Sequence, residues 1–322
     1  MKNIFKKLGV LMFFATSAVS VHATENYPTN SISMLVGFAP GGPTDQAARI
    51  IADAMSHDLN QTVIVENKPG ANSTLSIKAL KSAKSDGYTI LLASNGVLTV
   101  AEARYNKLPF DVQKDLMPIG LVAGYSHVLV VPADSKYLDV QSIIKNADKD
   151  LPSISSVGNV DELTIALFRK LTGKTLNVIP YRGQSAVIGD LVSDRVNMAF
   201  LAPNVAKPLV ESGKLKAIAV SGLNRVSAMP DVPTMQEAGV DGFNVEIWNA
   251  LVVNAGTNED VRNKLSATLR RSLSQESVKN RLADSGFVAY AGMPEDLTKK
   301  IEVEGAMWKK LVKDENLPVL EF

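Results

Sequence analysis

From residue 31 onward, short apolar runs alternate with amphipathic stretches of helical period, and no other feature limits the fold as much. Residues 33–38 read as a strand and 44–59 as a helix with Ala47, Ile50, Ile51, Ala54 and Met55 on one face. Residues 62–66 read as a strand, 72–84 as a helix and 88–93 as a strand. This order with short connections implies a parallel sheet with helices on its faces. Ligands of such sheets gather at the carboxyl ends of the strands. The turns at 38–45 and 94–96 both fall at such ends, so they can face one cleft.

Residues 101–118 are less regular and read as a connection. Strands at 119–123 and 128–131 follow. The alternation then restarts with helix 140–147, strand 153–157, helix 161–172, strand 176–180, helix 185–194, strand 198–201, helix 204–212 and strand 216–220. An apolar strand at 245–253 contains Trp248, and helices at 258–273, 277–285 and 295–314 fill the end, with Thr257 and Asp260 resembling a helix-starting cap. This last block has no matching set of strands, so it completes the first domain. The chain then crosses between domains near Gly124 and near Glu246, giving domain 1 as 24–124 with 246–322 and domain 2 as 125–245. Two crossings make a hinge, and a cleft between hinged lobes suits a ligand clamp.

The chain begins with Lys2, Lys6 and Lys7, continues with a largely apolar run at 8–21, and reaches Val21-His22-Ala23, a small-residue cleavage pattern with the cut after Ala23. Residues 1–23 therefore read as a secretory signal peptide, since about 14 apolar residues are short for a span that needs ~20. The chain has no cysteine, which excludes disulfides, thiol catalysis and a lipidated cysteine, so the expected product is exported, soluble and not lipid-anchored. Without the leader, 31 basic side chains face 33 acidic ones, a balance that argues against nucleic acid as a partner.

The turn Phe38-Ala39-Pro40-Gly41-Gly42-Pro43-Thr44-Asp45 bends sharply with little side-chain bulk, and the first N–H groups of the following helix have no intrahelical partner. Those groups suit a small anion, although turns of this composition are also common. Ser155-Ser156-Val157-Gly158-Asn159 is the second domain's counterpart, so two such turns across a cleft could hold one carboxylate between them. Asp45 reads either as an acid that steadies its helix or as a contact to a hydroxyl, an ammonium or a bridging water. Asp161 and Glu162 pose the same question, with a solvated helix start as the default. His57 and His127 read as surface or packing residues. No G-x-S-x-G elbow and no metal-ligand spacing occurs, and Gly173-Lys174-Thr175 follows a helix where a phosphate loop must precede one. No cofactor and no catalytic residue is expected.

Seven phrases in order carry a resemblance. They are Val36-Gly37-Phe38-Ala39-Pro40-Gly41-Gly42-Pro43-Thr44-Asp45, Val65-Glu66-Asn67-Lys68-Pro69-Gly70-Ala71, Asp86-Gly87-Tyr88-Thr89, Leu108-Pro109-Phe110-Asp111, Pro180-Tyr181-Arg182-Gly183, the run 213–220, and Pro230-Asp231-Val232-Pro233-Thr234. With them the chain resembles the periplasmic solute-binding proteins of tripartite tricarboxylate transporters, the Bug receptors. The resemblance implies an α/β, two-lobed type II periplasmic binding protein fold. Each lobe would be a mostly parallel sheet flanked by helices, with two crossover strands as the hinge. It also implies a monomer that takes a small organic carboxylate and delivers it to membrane permease subunits; presenting the ligand to a membrane histidine kinase is the alternative. The carboxylate would be held by the turn at 38–45 and by Ser156, Gly158 and Asn159, with Asn95, Gly96, Tyr181, Gly183, Ala202 and Pro203 lining the cleft. One departure stands out. Where the family's second turn runs on with glycine, Ser or Thr and then His, this chain reads Gly158-Asn159-Val160-Asp161-Glu162-Leu163-Thr164. Asp161 or Glu162 there is expected to favour a ligand carrying an amine or several hydroxyls.

Overall fold

The first described strand, β1 (Ile32–Val36), buries nearly every side chain, because it lies between two parallel neighbours with helices on both faces. In this computed structural model, which describes residues 27–290 and 292–321, β1 leads into α1 (Pro43–Leu59), β2 (Val63–Asn67), α2 (Thr74–Ser82) and β3 (Thr89–Ser94). The signal-peptide reading falls on residues 1–23, outside the described residues. A wide helical turn, Gly96–Val100, and the short helices α3 (Ala101–Arg104) and α4 (Val112–Asp115) fill the irregular stretch before β4 (Leu116–Tyr125). The second lobe holds β5 (Val128–Pro132), α5 (Val140–Asp150), β6 (Ser153–Ser156), α6 (Asn159–Thr172), β7 (Asn177–Pro180), α7 (Gln184–Val192), β8 (Ala199–Leu201), α8 (Pro203–Glu211) and β9 (Leu215–Val220). The chain closes with β10 (Ile247–Asn254), α9 (Glu259–Ser274), α10 (Glu276–Asp284), β11 (Val288–Ala289) and α11 (Pro294–Asp314).

The two sheets repeat one order. In the first lobe it is β2-β1-β3-β10-β4, with the short β11 added at the β4 edge. In the second, β6 and β7 pair in parallel and join β8-β5-β9 through a parallel bridge between Ile154 and Met198, giving β7-β6-β8-β5-β9. One long strand in each sheet runs against the rest: β10 is antiparallel to β3 and β4, and β5 to β8 and β9. These reversed strands are the ones through which the chain enters the second lobe (β5) and returns to the first (β10), having left the first through β4 and the second through β9.

Side chains alternate across the first sheet. Leu92 and Leu251 face Ile51, Met55 and Leu269 on one side, while Leu91, Trp248 and Ala250 face Ile77 and Leu297 on the other. Phe168, Phe200 and Phe243 anchor the second lobe's core. At the hinge Ser221 ties the crossover strands together: its N–H donates to the His127 carbonyl at 2.9 Å and its hydroxyl to the Val245 carbonyl at 2.7 Å.

Three expectations need correction. Residues 71–73 do not begin a helix: Ala71, Asn72 and Ser73 are all left-handed (φ 44°, 50° and 69°), and the helix starts at Thr74. The cap of α9 is Asn258, whose side chain accepts from the Asp260 N–H at 2.8 Å, while Thr257 is buried. Finally, α11 does not serve the first lobe alone. Leu297 lies in that lobe's core, but Trp308, Leu311 and Val312 lie in the second lobe's, and the Glu315 carboxylate accepts from Arg169 at 2.9 Å.

Candidate functional site: two matched turns

The turns before α1 and α6 have the same backbone plan. In the first, the Gln46 N–H donates to the Gly42 carbonyl at 3.0 Å; in the second, the Glu162 N–H donates to the Gly158 carbonyl at 3.3 Å. The N–H groups of Thr44 and Asp45, and of Asn159, Val160 and Asp161, therefore precede the first helical hydrogen bond. The third helical residue of each helix is an aspartate that reaches back four residues. Asp45 Oδ2 accepts from the Gly41 N–H at 2.9 Å, and Asp161 Oδ2 accepts from the Val157 N–H at 2.8 Å. Each reach-back closes the loop into a ring with the helix N–H groups at its mouth, and both helix dipoles add partial positive charge there.

The surroundings of the two carboxylates differ. Asp45 is buried yet fully partnered: the Arg49 guanidinium donates at 2.9 and 3.0 Å and the Asn67 amide at 2.8 Å. Burial pushes its pKa up, but the hydrogen bonds from Arg49, Gly41 and Asn67 outweigh burial and hold it below the usual carboxylate value. The same Asn67 amide donates to the Phe38 carbonyl at 2.9 Å, so one side chain fixes both ends of the turn. Asp45 thus builds the turn, and its carboxylate is already occupied.

Asp161 is equally buried, which overturns the solvated reading. Its Oδ1 lies 3.5 Å from His127 Nδ1, and no Lys or Arg among the described residues pairs with it. Burial drives its pKa up to about 7, against the lowering effect of the Val157 N–H, and the neighbouring Glu162 adds to the rise. Burial drives His127 down to about 4. Glu162 is committed to Arg104, a buried guanidinium, and is not free for an amine either. His127 is a packing residue as expected, set edge-on to Tyr125 at 5.5 Å and stacked near Phe200 at 6.4 Å, while His57 is exposed.

Phe38, Ala39, Pro40 and Gly41 are exposed at the rim of the first turn, with Gly42 and Pro43 half-buried and Thr44 buried. Asn95 is buried, donating to the Glu246 carbonyl at 2.9 Å, and a Cβ at Gly96 would lie 3.2 Å from Val160 across the cleft. Ser156 is buried and its carbonyl accepts from the Tyr181 N–H at 2.8 Å; the Tyr181 hydroxyl turns toward Asp190 at 2.7 Å. Gly183 precedes α7, Pro203 opens α8, and Ala202 packs into the first lobe's core. The lobes touch: the Asn204 amide donates to Gln46 Oε1 at 3.1 Å.

Several participants are not evident from the sequence. Arg49 stands one helical turn after Asp45, a spacing that could have flagged it. The Asn249 side-chain amide on β10, the Asn95 side-chain oxygen Oδ1, the Ser156 hydroxyl and the Asn159 side-chain amide nitrogen are buried with no partner among the described residues. The left-handed turn at 71–73 packs on the end of β1, where a Cβ at Gly37 would sit 2.5 Å from Ser73, and Asn72 approaches Gly158. A groove of about 400 Å³ also lies behind the hinge, lined by Glu246, Lys300 and Trp308, away from both turns. Among the described residues no three His, Asp or Glu side chains could hold a metal ion, and no helix is long and apolar enough to cross a membrane.

Two similar lobes on crossover strands, each with a helix that starts at a tight turn after a strand, define a two-lobed solute-binding protein. Residues 47–317 match the tripartite tricarboxylate transporter family receptor, TctC, and the chain belongs to that family. It is 29% identical to protein BugT of Bordetella pertussis over 97% of this chain and 98% of BugT. It also superimposes on the periplasmic binding protein BugD (TM-score 0.81, 31% identity, 92% of this chain and all of that one). A third relative is MatC from Rhodopseudomonas palustris with bound malate (TM-score 0.80, 29% identity, 89% of this chain and all of that one). The family and these neighbours are solute-binding proteins, not enzymes.

Proposed function

We propose that this chain is an exported, periplasmic receptor, monomeric and free of a lipid anchor, that closes two lobes over a small organic carboxylate and delivers it to the permease of a tripartite tricarboxylate transporter. The lobes are residues 24–124 with 246–322, and 125–245. The observation that carries the reading is the matched pair of turns, each with an aspartate reaching back to Gly41 or Val157 and helix N–H groups at its mouth. The contacts would come from the turn at 38–45 and from Ser156, Gly158 and Asn159, with Asn95, Gly96, Tyr181, Gly183, Ala202 and Pro203 around them. Asp45 and Asp161 shape those turns and do not grip the ligand. Hydrogen bonds to a charged acceptor of ~1.5–3 kcal/mol each, shared among several N–H groups, suffice for micromolar affinity. Malate bound to the related MatC is consistent with this class of ligand.

The test is a thermal-shift screen of malate, succinate, citrate, adipate and glutamate on protein refolded free of carried-over ligand. At least one acid should raise the melting temperature, and a crystal of that complex should place a carboxylate between the two turns. An acid bound tightly elsewhere would end the reading.

A further inference from the structure

His127 and Asp161 are the two buried titratable groups that face each other beside the second turn, and their other contacts reach every part of that side of the cleft. The Ala202 N–H donates to Gln184 Oε1 at 3.1 Å, which orients the Gln184 amide nitrogen toward His127 Nε2, 3.4 Å away. His127 Nε2 then accepts, leaving the proton on Nδ1, which lies 3.5 Å from Asp161 Oδ1 and has no hydrogen-bond partner among the described residues. Asp161 in turn holds the Val157 N–H. One chain of side chains, Gln184–His127–Asp161, therefore links the turn before α8, the start of α7, the hinge and the turn before α6.

The charges facing this chain are few. Tyr125 from β4 meets it as a neutral phenol, and Phe200 from β8 as a hydrocarbon. Glu162 beside Asp161 on α6 pairs with Arg104 of α3 yet still adds to the rise of Asp161, and α7 brings the Gln184 amide. A buried carboxylate with one N–H and no cation is costly to ionise, unlike Asp45 with its guanidinium.

We propose that His127 and Asp161 form the charge selector of the second lobe, a buried pair that takes up one proton when a carboxylate is enclosed and so makes carboxylate affinity fall at alkaline pH. The proposal rests on the carboxylate reading above. Ionising Asp161 places a buried negative charge beside the turn that must receive the ligand's own; enclosing the ligand draws a proton back. The value of about 7 for Asp161 puts the transition near neutrality.

The experiment is calorimetric titration of the mature protein at pH 6.5 and 8.5, a range in which malate keeps both carboxylates ionised. Malate is the probe, or whichever acid of the screen binds at pH 6.5. Wild type should bind roughly twentyfold more weakly at pH 8.5, close to the limit set by one linked proton, and proton uptake at pH 8 should approach about one per ligand. Asp161→Asn should bring the ratio close to one and abolish the uptake. A flat wild-type profile, or an Asp161→Asn profile as steep as wild type, overturns the proposal. If no acid binds at pH 6.5, the receptor reading fails instead. The pair is then decided on ligand-free protein: Asp161→Asn and His127→Gln must change the pH dependence of stability in opposite directions, and equal slopes overturn it.

Discussion

In the turn before α1 a buried aspartate meets a guanidinium and an amide; in the turn before α6 an equally buried aspartate meets an imidazole and, among the described residues, no Lys or Arg. The backbone plan is the same, because both turns lead from a strand into a helix and both use an acid at the third helical position to hold the loop. The partners differ, so the first turn is a fixed charge pair and the second is poised to gain or lose a proton. One structural device is thus used twice, with the carboxylate pKa lowered in the first copy and raised in the second.

Removing the better-partnered acid should have the largest effect. Asp45→Ala removes the acceptor of the Gly41 N–H and of one hydrogen of the Asn67 amide, while the half-exposed Arg49 regains water, so a loss of about 1–3 kcal/mol is expected, read by urea denaturation, with ligand binding abolished. A loss under about 1 kcal/mol would mean that the turn holds without its acid. The two glycines that cap the helices should separate next. Gly158 has φ 79° and ψ −176°, a conformation only glycine adopts cheaply, whereas Gly42 has φ −76°. Gly158→Ala should cost about 1–3 kcal/mol and Gly42→Ala less than about 1 kcal/mol. Equal costs would break the comparison.

The pH dependence sharpens it further. Between the ordinary carboxylate value of 3.8 and about 7, the native protein keeps on Asp161 a proton that the unfolded chain has released, so this residue makes stability fall as pH rises. His127 acts oppositely: between about 4 and its ordinary 6.5 the unfolded chain holds a proton that the buried ring has shed, and stability rises with pH. In wild type the slopes largely offset. Asp161→Asn should leave the rising slope and His127→Gln the falling one, each at most about 1.4 kcal/mol per pH unit, measured by denaturation from pH 4 to 7. Asp45, with its lowered pKa, contributes stability that is full above about 3.8 and lost as pH falls through its native value. The smallest effect belongs to the turn at 71–73, where Ala71→Gly relieves a left-handed alanine and should stabilise by about 0.5–1 kcal/mol in the same assay.

Much of this was legible along the chain. The alternation of apolar runs with helical stretches located nearly every strand and helix, because burial at period 2 or 3.6 is written in consecutive residues. The glycine and proline turn at 38–45 announced a helix N-terminus at a strand end for the same local reason. The left-handed turn at 71–73 was missed since nothing in Ala71-Asn72-Ser73 demands positive φ; contact with Gly37 and the end of β1 holds it there. The second-lobe role of α11 was missed because an amphipathic helix does not state which of two cores its ends will meet.

The sequence by itself determined which segments would be strands and helices, that the lobes would be joined twice, and where the two helix N-termini would fall, since local sterics and hydrophobic period fix these. Only the tertiary structure decided what each aspartate would face. Asp45 meets Arg49 four residues away on its own helix and Asn67 at the end of the neighbouring strand, while Asp161 meets His127, 34 positions distant in the sequence. The charge of a buried carboxylate is set by those spatial neighbours and by its loss of water, and neither is encoded in adjacent residues.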